Sequence, residues 1–231
     1  SFPTRRSSDL YSYRRVLLDQ GFVIAIANVR GGGEYGEAWH LAGNLTHKQN
    51  VFDDFAAVLE HLIDRKYTAS RHLAILGGSN GGLLMGATLV QHPDLAKAVV
   101  SFVGIYDVLR TELSPNGEFN ITEFGTVKNP AQFRAMLAYS PYEHVEKGVR
   151  YPAVLMLTGA NDPRVEPMQS RKMVARLQAA TASQAPILLV TSNSTGHGIS
   201  TPLAELINQT VDVYVFLFDQ LGIQFRATAG R

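Results

Sequence analysis

The chain contains no cysteine. Disulfides, thiolate metal sites and cysteine nucleophiles are therefore excluded, and nothing in it reports on a redox compartment. No apolar run approaches the roughly 20 residues that a membrane span requires, so a membrane is not an expected partner. Neither sign of charge dominates: 21 Lys and Arg face 20 Asp and Glu, a formal net charge of +1. No basic stripe or block of like charge appears, so nucleic acid is not an expected partner either. There is no initiator methionine. Residues 1–10, Ser-Phe-Pro-Thr-Arg-Arg-Ser-Ser-Asp-Leu, have no apolar core and read as neither a secretory leader nor a native start. That run is expected to be non-native, with one domain over 11–231. A soluble protein of the cytoplasm or periplasm is expected, with no feature that separates the two compartments.

What the chain does have is core. Its 231 residues are 45% hydrophobic and 18% charged, the size and composition of one folded domain. Residues 11–20 read as a short amphipathic helix closed by Gly21. Phe22 to Val29, rich in Val and Ile, reads as a buried strand, followed by the glycine loop Arg30 to Gly36. Asp53 and Asp54 open a helix to about Lys66, with Phe55, Val58, Leu59 and Leu62 on one stripe. Strands are expected at Leu73 to Leu76, Ala98 to Ile105, Ala153 to Thr158 and Ile187 to Thr191. Helices are expected at Asn80 to Gln91, Met168 to Ala179 and Leu203 to Leu221. Residues 109–150 read as irregular, with short helices around Pro130 to Leu137. Strands alternating with helices imply a mostly parallel sheet covered on both faces, an α/β fold.

Between the strand ending at Leu76 and the helix starting at Asn80 lies Gly77-Gly78-Ser79-Asn80-Gly81. This is G-x-S-x-G in a strand–turn–helix setting, the nucleophile elbow of α/β-hydrolases. A serine there needs a base, and the base needs an orienting carboxylate, in chain order Ser, Asp or Glu, His. His197 fits the base: it follows the strand at 187–191, between Gly196 and Gly198. His144 has no strand ahead of it and reads as a surface histidine. Asp162 and Asp107 both lie at strand ends. Asp162 is favoured because its strand directly precedes the one leading to His197. Gly31, Gly33 and Gly36 also spell G-x-G-x-x-G, but no helix follows directly and no second strand ends in an acid, so no dinucleotide site is read there. No cofactor or metal is called for.

Six segments together resemble the prolyl oligopeptidase family of serine peptidases. They are Arg30-Gly-Gly-Gly-Glu-Tyr-Gly36, Lys48-Gln-Asn50 before Phe52-Asp-Asp-Phe55, Gly77-Gly-Ser-Asn-Gly-Gly82, Tyr139-Ser-Pro141, Asn161-Asp-Pro-Arg-Val165 and Gly196-His-Gly198. The resemblance implies an α/β-hydrolase catalytic domain acting on oligopeptides through Ser79, Asp162 and His197. It implies the Asn80 backbone N–H as an oxyanion donor and Arg164 as an anchor for a substrate carbonyl. Asn120 falls where prolyl-specific members carry a stacking tryptophan, and Phe124 lies near that pocket. The family's Tyr-Gly-Gly loop, with its second oxyanion donor, is absent from this sequence. So is the strand before it, which would lie between 22–29 and 73–76, leaving the sheet incomplete at the N-terminus. The family's β-propeller domain is absent as well. An esterase or lipase on the same fold, or a non-catalytic remnant, are the alternative readings.

Overall fold

A computed structural model describes residues 14–198 and 201–227; the segment 1–10 lies outside them. Four strands carry the sheet: β1 (Ala74–Gly78), β2 (Ala98–Phe102), β3 (Ala153–Gly159) and β4 (Ile187–Ser192). They lie side by side in chain order, all parallel, so every connection crosses over through helix. The helices are α1 (Arg14–Asp19), α2 (Glu37–Leu41), α3 (Gln49–Asp64), α4 (Asn80–Gln91), α5 (Gly117–Phe124), α6 (Pro130–Tyr139), α7 (Met168–Ala180) and α8 (Leu203–Leu221).

Strand alternation splits the core into two layers. Ile75, Val99, Val154, Met156 and Ile187 pack under α3, α4 and α7. Val100, Leu155 and Leu157 pack on the other face, against Val213, Phe216 and Leu217 of α8. Both layers are apolar, which is why β3 is buried along its whole length and shows no polar alternation. A third cluster joins Phe52 of α3 and Leu83 of α4 to Phe124 of α5 and to Met136 and Tyr139 of α6. α6 starts where Pro130 presets the first turn and the Asn129 side chain accepts from the N–H groups of Ala131 and Gln132.

Several boundaries depart from expectation. Phe22 to Val29 forms no strand and is not buried: Val23 and Ile26 are 90% and 62% exposed. Its composition favours extended backbone, but a strand also needs a neighbour to complete its ladder. Among the described residues it has none; β1 ends the order of strands and pairs only with β2. Residues 11–13 of the expected first helix lie outside the described residues, and the described part, α1, ends at Asp19; α3 begins four residues before Asp53. α6 falls where a short helix is expected and runs two residues past Leu137, whereas α5 occupies a stretch read as irregular. The buried face of α5 is made of Gly117, Asn120 and Phe124, only one of them a large apolar residue, so its hydrophobic stripe is weak in the sequence.

Candidate active site

Three loops at the C-terminal ends of β1, β3 and β4 meet over the sheet. After β1, the chain turns at Ser79 with φ 57° and ψ −118°, a conformation that costs energy for a residue with a side chain. The N–H of Ser79 donates to Phe102 O at 2.9 Å, which fixes the turn to the end of β2. Gly77 is required here: a Cβ would stand 2.4 Å from the carbonyl oxygen of Gly81. The turn leads directly into α4: the N–H groups of Gly82 and Leu83 donate back to Ser79 O, which leaves those of Asn80 and Gly81 without an intrahelical acceptor.

After β3, Asp162 is buried. One carboxylate oxygen accepts from the N–H groups of Arg164 and Val165 at 2.8 and 2.9 Å. The other accepts from Nδ1 of His197 at 2.8 Å. A carboxylate can only accept, so the imidazole carries its proton on Nδ1. The neutral ring therefore presents Nε2 as an acceptor to the Ser79 hydroxyl, 2.8 Å away. The loop bearing His197 is laced to the Asp162 loop: the N–H of Asn161 donates to Thr195 O, and its side-chain amide donates to Asn193 O. Gly159 makes this crossing feasible, because a Cβ there would stand 2.4 Å from Thr195 O. Sequence reasoning pointed to Gly196 and Gly198 and missed Gly159, whose partner is 36 residues away.

Asp107, the other strand-end acid, turns away from this cluster. Its buried carboxylate pairs with Arg110 at 2.8 Å and with Lys172. His144 is held to the carbonyl of Leu137. The Arg30 guanidinium grips Asp54 with two hydrogen bonds, which ties the glycine loop to α3 and holds the Asp54 carboxyl below its usual range.

Arg164 is exposed and, with Asn120, lines a small depression that also includes Ile105, Val165, Glu166 and Gln169. Phe124 does not line it; the ring is buried in the third cluster, 5.3 Å from Nζ of Lys48. Lys48 is itself buried and is 2.5 Å from Oε1 of Glu123. Desolvation lowers its pKa, and the glutamate partly restores it. The same glutamate oxygen accepts from the side-chain amide of Asn80 at 2.9 Å. The Lys48 segment was visible in the sequence as a motif, but nothing local announced a buried lysine or its partner 75 residues on.

A parallel sheet with a serine elbow, a strand-end acid and a histidine loop defines an α/β-hydrolase catalytic domain. The chain belongs to the prolyl oligopeptidase family, whose profile matches residues 9–224. It is 42% identical over 205 residues to a prolyl endopeptidase of Dictyostelium discoideum, covering 87% of this chain and 27% of that protein. Among solved structures, one reported as part of an analysis of two prolyl endopeptidases and the role of inter-domain dynamics superposes with a TM-score of 0.90. It is 49% identical, over 93% of this chain and 32% of that one. Oligopeptidase B from Leishmania major gives 0.87 at 32% identity, over 91% and 30%. The chain thus spans under a third of the length of these relatives.

Proposed function

We propose that this chain is the catalytic domain of a serine peptidase that cleaves peptide bonds in short peptides. The observation that carries the reading is the unbroken relay from the Asp162 carboxylate through His197 to the Ser79 hydroxyl, each link 2.8 Å. In the proposed reaction His197 Nε2 takes the hydroxyl proton as Oγ bonds to the scissile carbonyl carbon. The carbonyl oxygen becomes an oxyanion facing the Asn80 N–H. The C–N bond then breaks, and the proton on Nε2 leaves with the amine. Water, deprotonated by His197, attacks the acyl-enzyme; the ester bond breaks and the proton returns to Ser79. Asp162 keeps the ring in the tautomer this requires.

Arg164 is proposed to anchor a substrate carbonyl; its exposed fork of donors suits that role. Asn120, which lines the depression beside Arg164, is proposed to bound the subsite preceding the cleaved bond; Phe124 lies behind it in the core and touches no substrate. Relatives named prolyl endopeptidase support cleavage after proline as the preference to test first. The relatives' greater length supports a further propeller domain in the full polypeptide.

The test is a fluorophosphonate adduct on Ser79 together with paired turnover of a proline-containing peptide amide and a simple ester. Labelling with amide hydrolysis supports the reading. Ester turnover without amide turnover replaces it with an esterase, and a folded full-length protein that takes no label rules out catalysis. Ser79→Ala is expected to lower kcat about 10⁵-fold or more, with the remainder left to binding and oxyanion contacts.

A further inference from the structure

Glu123 stands between the nucleophile turn and the interior. Its Oε1 is shared by two donors from distant parts of the chain: Nζ of Lys48, before α3, and Nδ2 of Asn80, the first residue of α4. Lys48 is fully enclosed, with Phe124 beneath it. A buried ammonium is expensive to desolvate and is retained at a fixed geometry only when paired. The pair has one fixed partner on each side: Lys48 sits at the start of α3, and Glu123 in the last turn of α5. Asn80 is the exposed member, and its side chain has no other hydrogen-bond partner among the described residues. Asn80 is also the residue after the nucleophile, so its backbone N–H is the one aimed at the developing oxyanion.

We infer that Lys48 and Glu123 act as positioning residues that hold the Asn80 end of the nucleophile turn, so that its N–H keeps its aim on the oxyanion. The geometry supports this over a purely structural ion pair. A structural pair is complete with two members, whereas this one extends a third hydrogen bond to the strained turn. The tether also joins α5, which carries Asn120 and Phe124, to the first residue of α4. The inference rests on Ser79 as nucleophile. Displacing a catalytic group slightly is enough to cost one or two orders of magnitude in rate, without any loss of substrate contacts.

The test compares two charge-free variants of the full-length polypeptide, Lys48→Met/Glu123→Gln and Lys48→Met/Glu123→Leu. Neither leaves a buried ion unpaired, and only the first keeps an acceptor for Asn80. The leucine variant is expected to have a kcat about tenfold below the glutamine variant, with KM within about threefold. In an Asn80→Ala background that difference should vanish, because the effect passes through the Asn80 side chain. Equal kcat in the two variants, or a difference that persists without the Asn80 side chain, overturns the inference. Amide hydrogen exchange over residues 79–84 reads the tether independently of turnover. Faster exchange in the leucine variant supports the inference, and equal exchange overturns it. Absence of wild-type turnover and labelling would instead remove the serine-peptidase reading, leaving the exchange result to decide the tether.

Discussion

Single side chains here are decided by what surrounds them more than by what they are. Asp107 and Asp162 are both acids at strand ends, yet only Asp162 reaches an imidazole, because the loop after β4 crosses over the end of β3. Tyr139 is a second case. Its hydroxyl is buried with no partner among the described residues, and desolvation, with a smaller push from Glu123, raises its pKa. Tyr106 is raised for the same reason, partly offset by its hydrogen bond to Ser101. Tyr139→Phe is therefore expected to leave stability unchanged or raise it by up to about 1 kcal/mol in urea unfolding, since an unsatisfied buried hydroxyl is removed. The pH dependence follows from the raised values. Unfolded phenols ionise near about pH 10 while the folded ones stay protonated. Their contribution is thus fully present below that pH and is lost as pH rises above it. Tyr139→Phe should flatten this alkaline loss, seen as a smaller drop in urea midpoint between about pH 9 and 11 than the parent shows. An equal drop in both proteins would show that Tyr139 ionises alike folded and unfolded.

Elements are where the sequence was most and least readable. The core strands and the helices α4, α7 and α8 were legible because apolar runs and helical stripes are local signals, bounded by Gly and Pro. The turn at Ser79 was legible because small residues must cluster where backbones crowd. The segment at 22–29 was misread because composition specifies extended backbone but not a ladder partner. α5 was hidden because its buried face carries Gly117 and Asn120 beside a single large apolar residue, Phe124, while α6 was legible from Pro130 onward. Gly159 shows the same limit in the site: its need for no side chain comes from a loop remote in sequence. Gly159→Ala is expected to force the carbonyls at 195 and 196 away, displacing His197. We expect a loss of about 1–3 kcal/mol in stability and a fall in kcat of about 10²-fold or more, measured by thermal unfolding and peptide turnover of the folded fraction. Near-normal kcat would mean that the histidine loop adjusts freely.

At the scale of the molecule, α8 covers only the middle of one sheet face. Leu76, Val100, Leu155 and Leu188 form one row across the four strands by register. The two central members are buried, while Leu76 and Leu188 at the ends are 44% and 45% exposed. In this chain alone, Leu76→Ser and Leu188→Ser should each change stability by less than about 0.5 kcal/mol. Leu155→Ala, under α8, should cost about 2–5 kcal/mol. Equilibrium urea unfolding of the three variants checks this, and a large loss at Leu76 would show that its face is covered in solution. Among the described residues no helix is long and apolar enough to cross a membrane.

The linear sequence by itself determined the layered α/β plan and the strand ends at which a serine, an acid and a histidine stand, because periodicity and turn chemistry act over a few residues. Strand order already favoured Asp162 as the acid, and only the tertiary structure decided which glycine lets the loops cross and which glutamate holds Asn80. Those outcomes depend on the distance between atoms dozens of residues apart, and that distance is set by how the sheet and its loops pack.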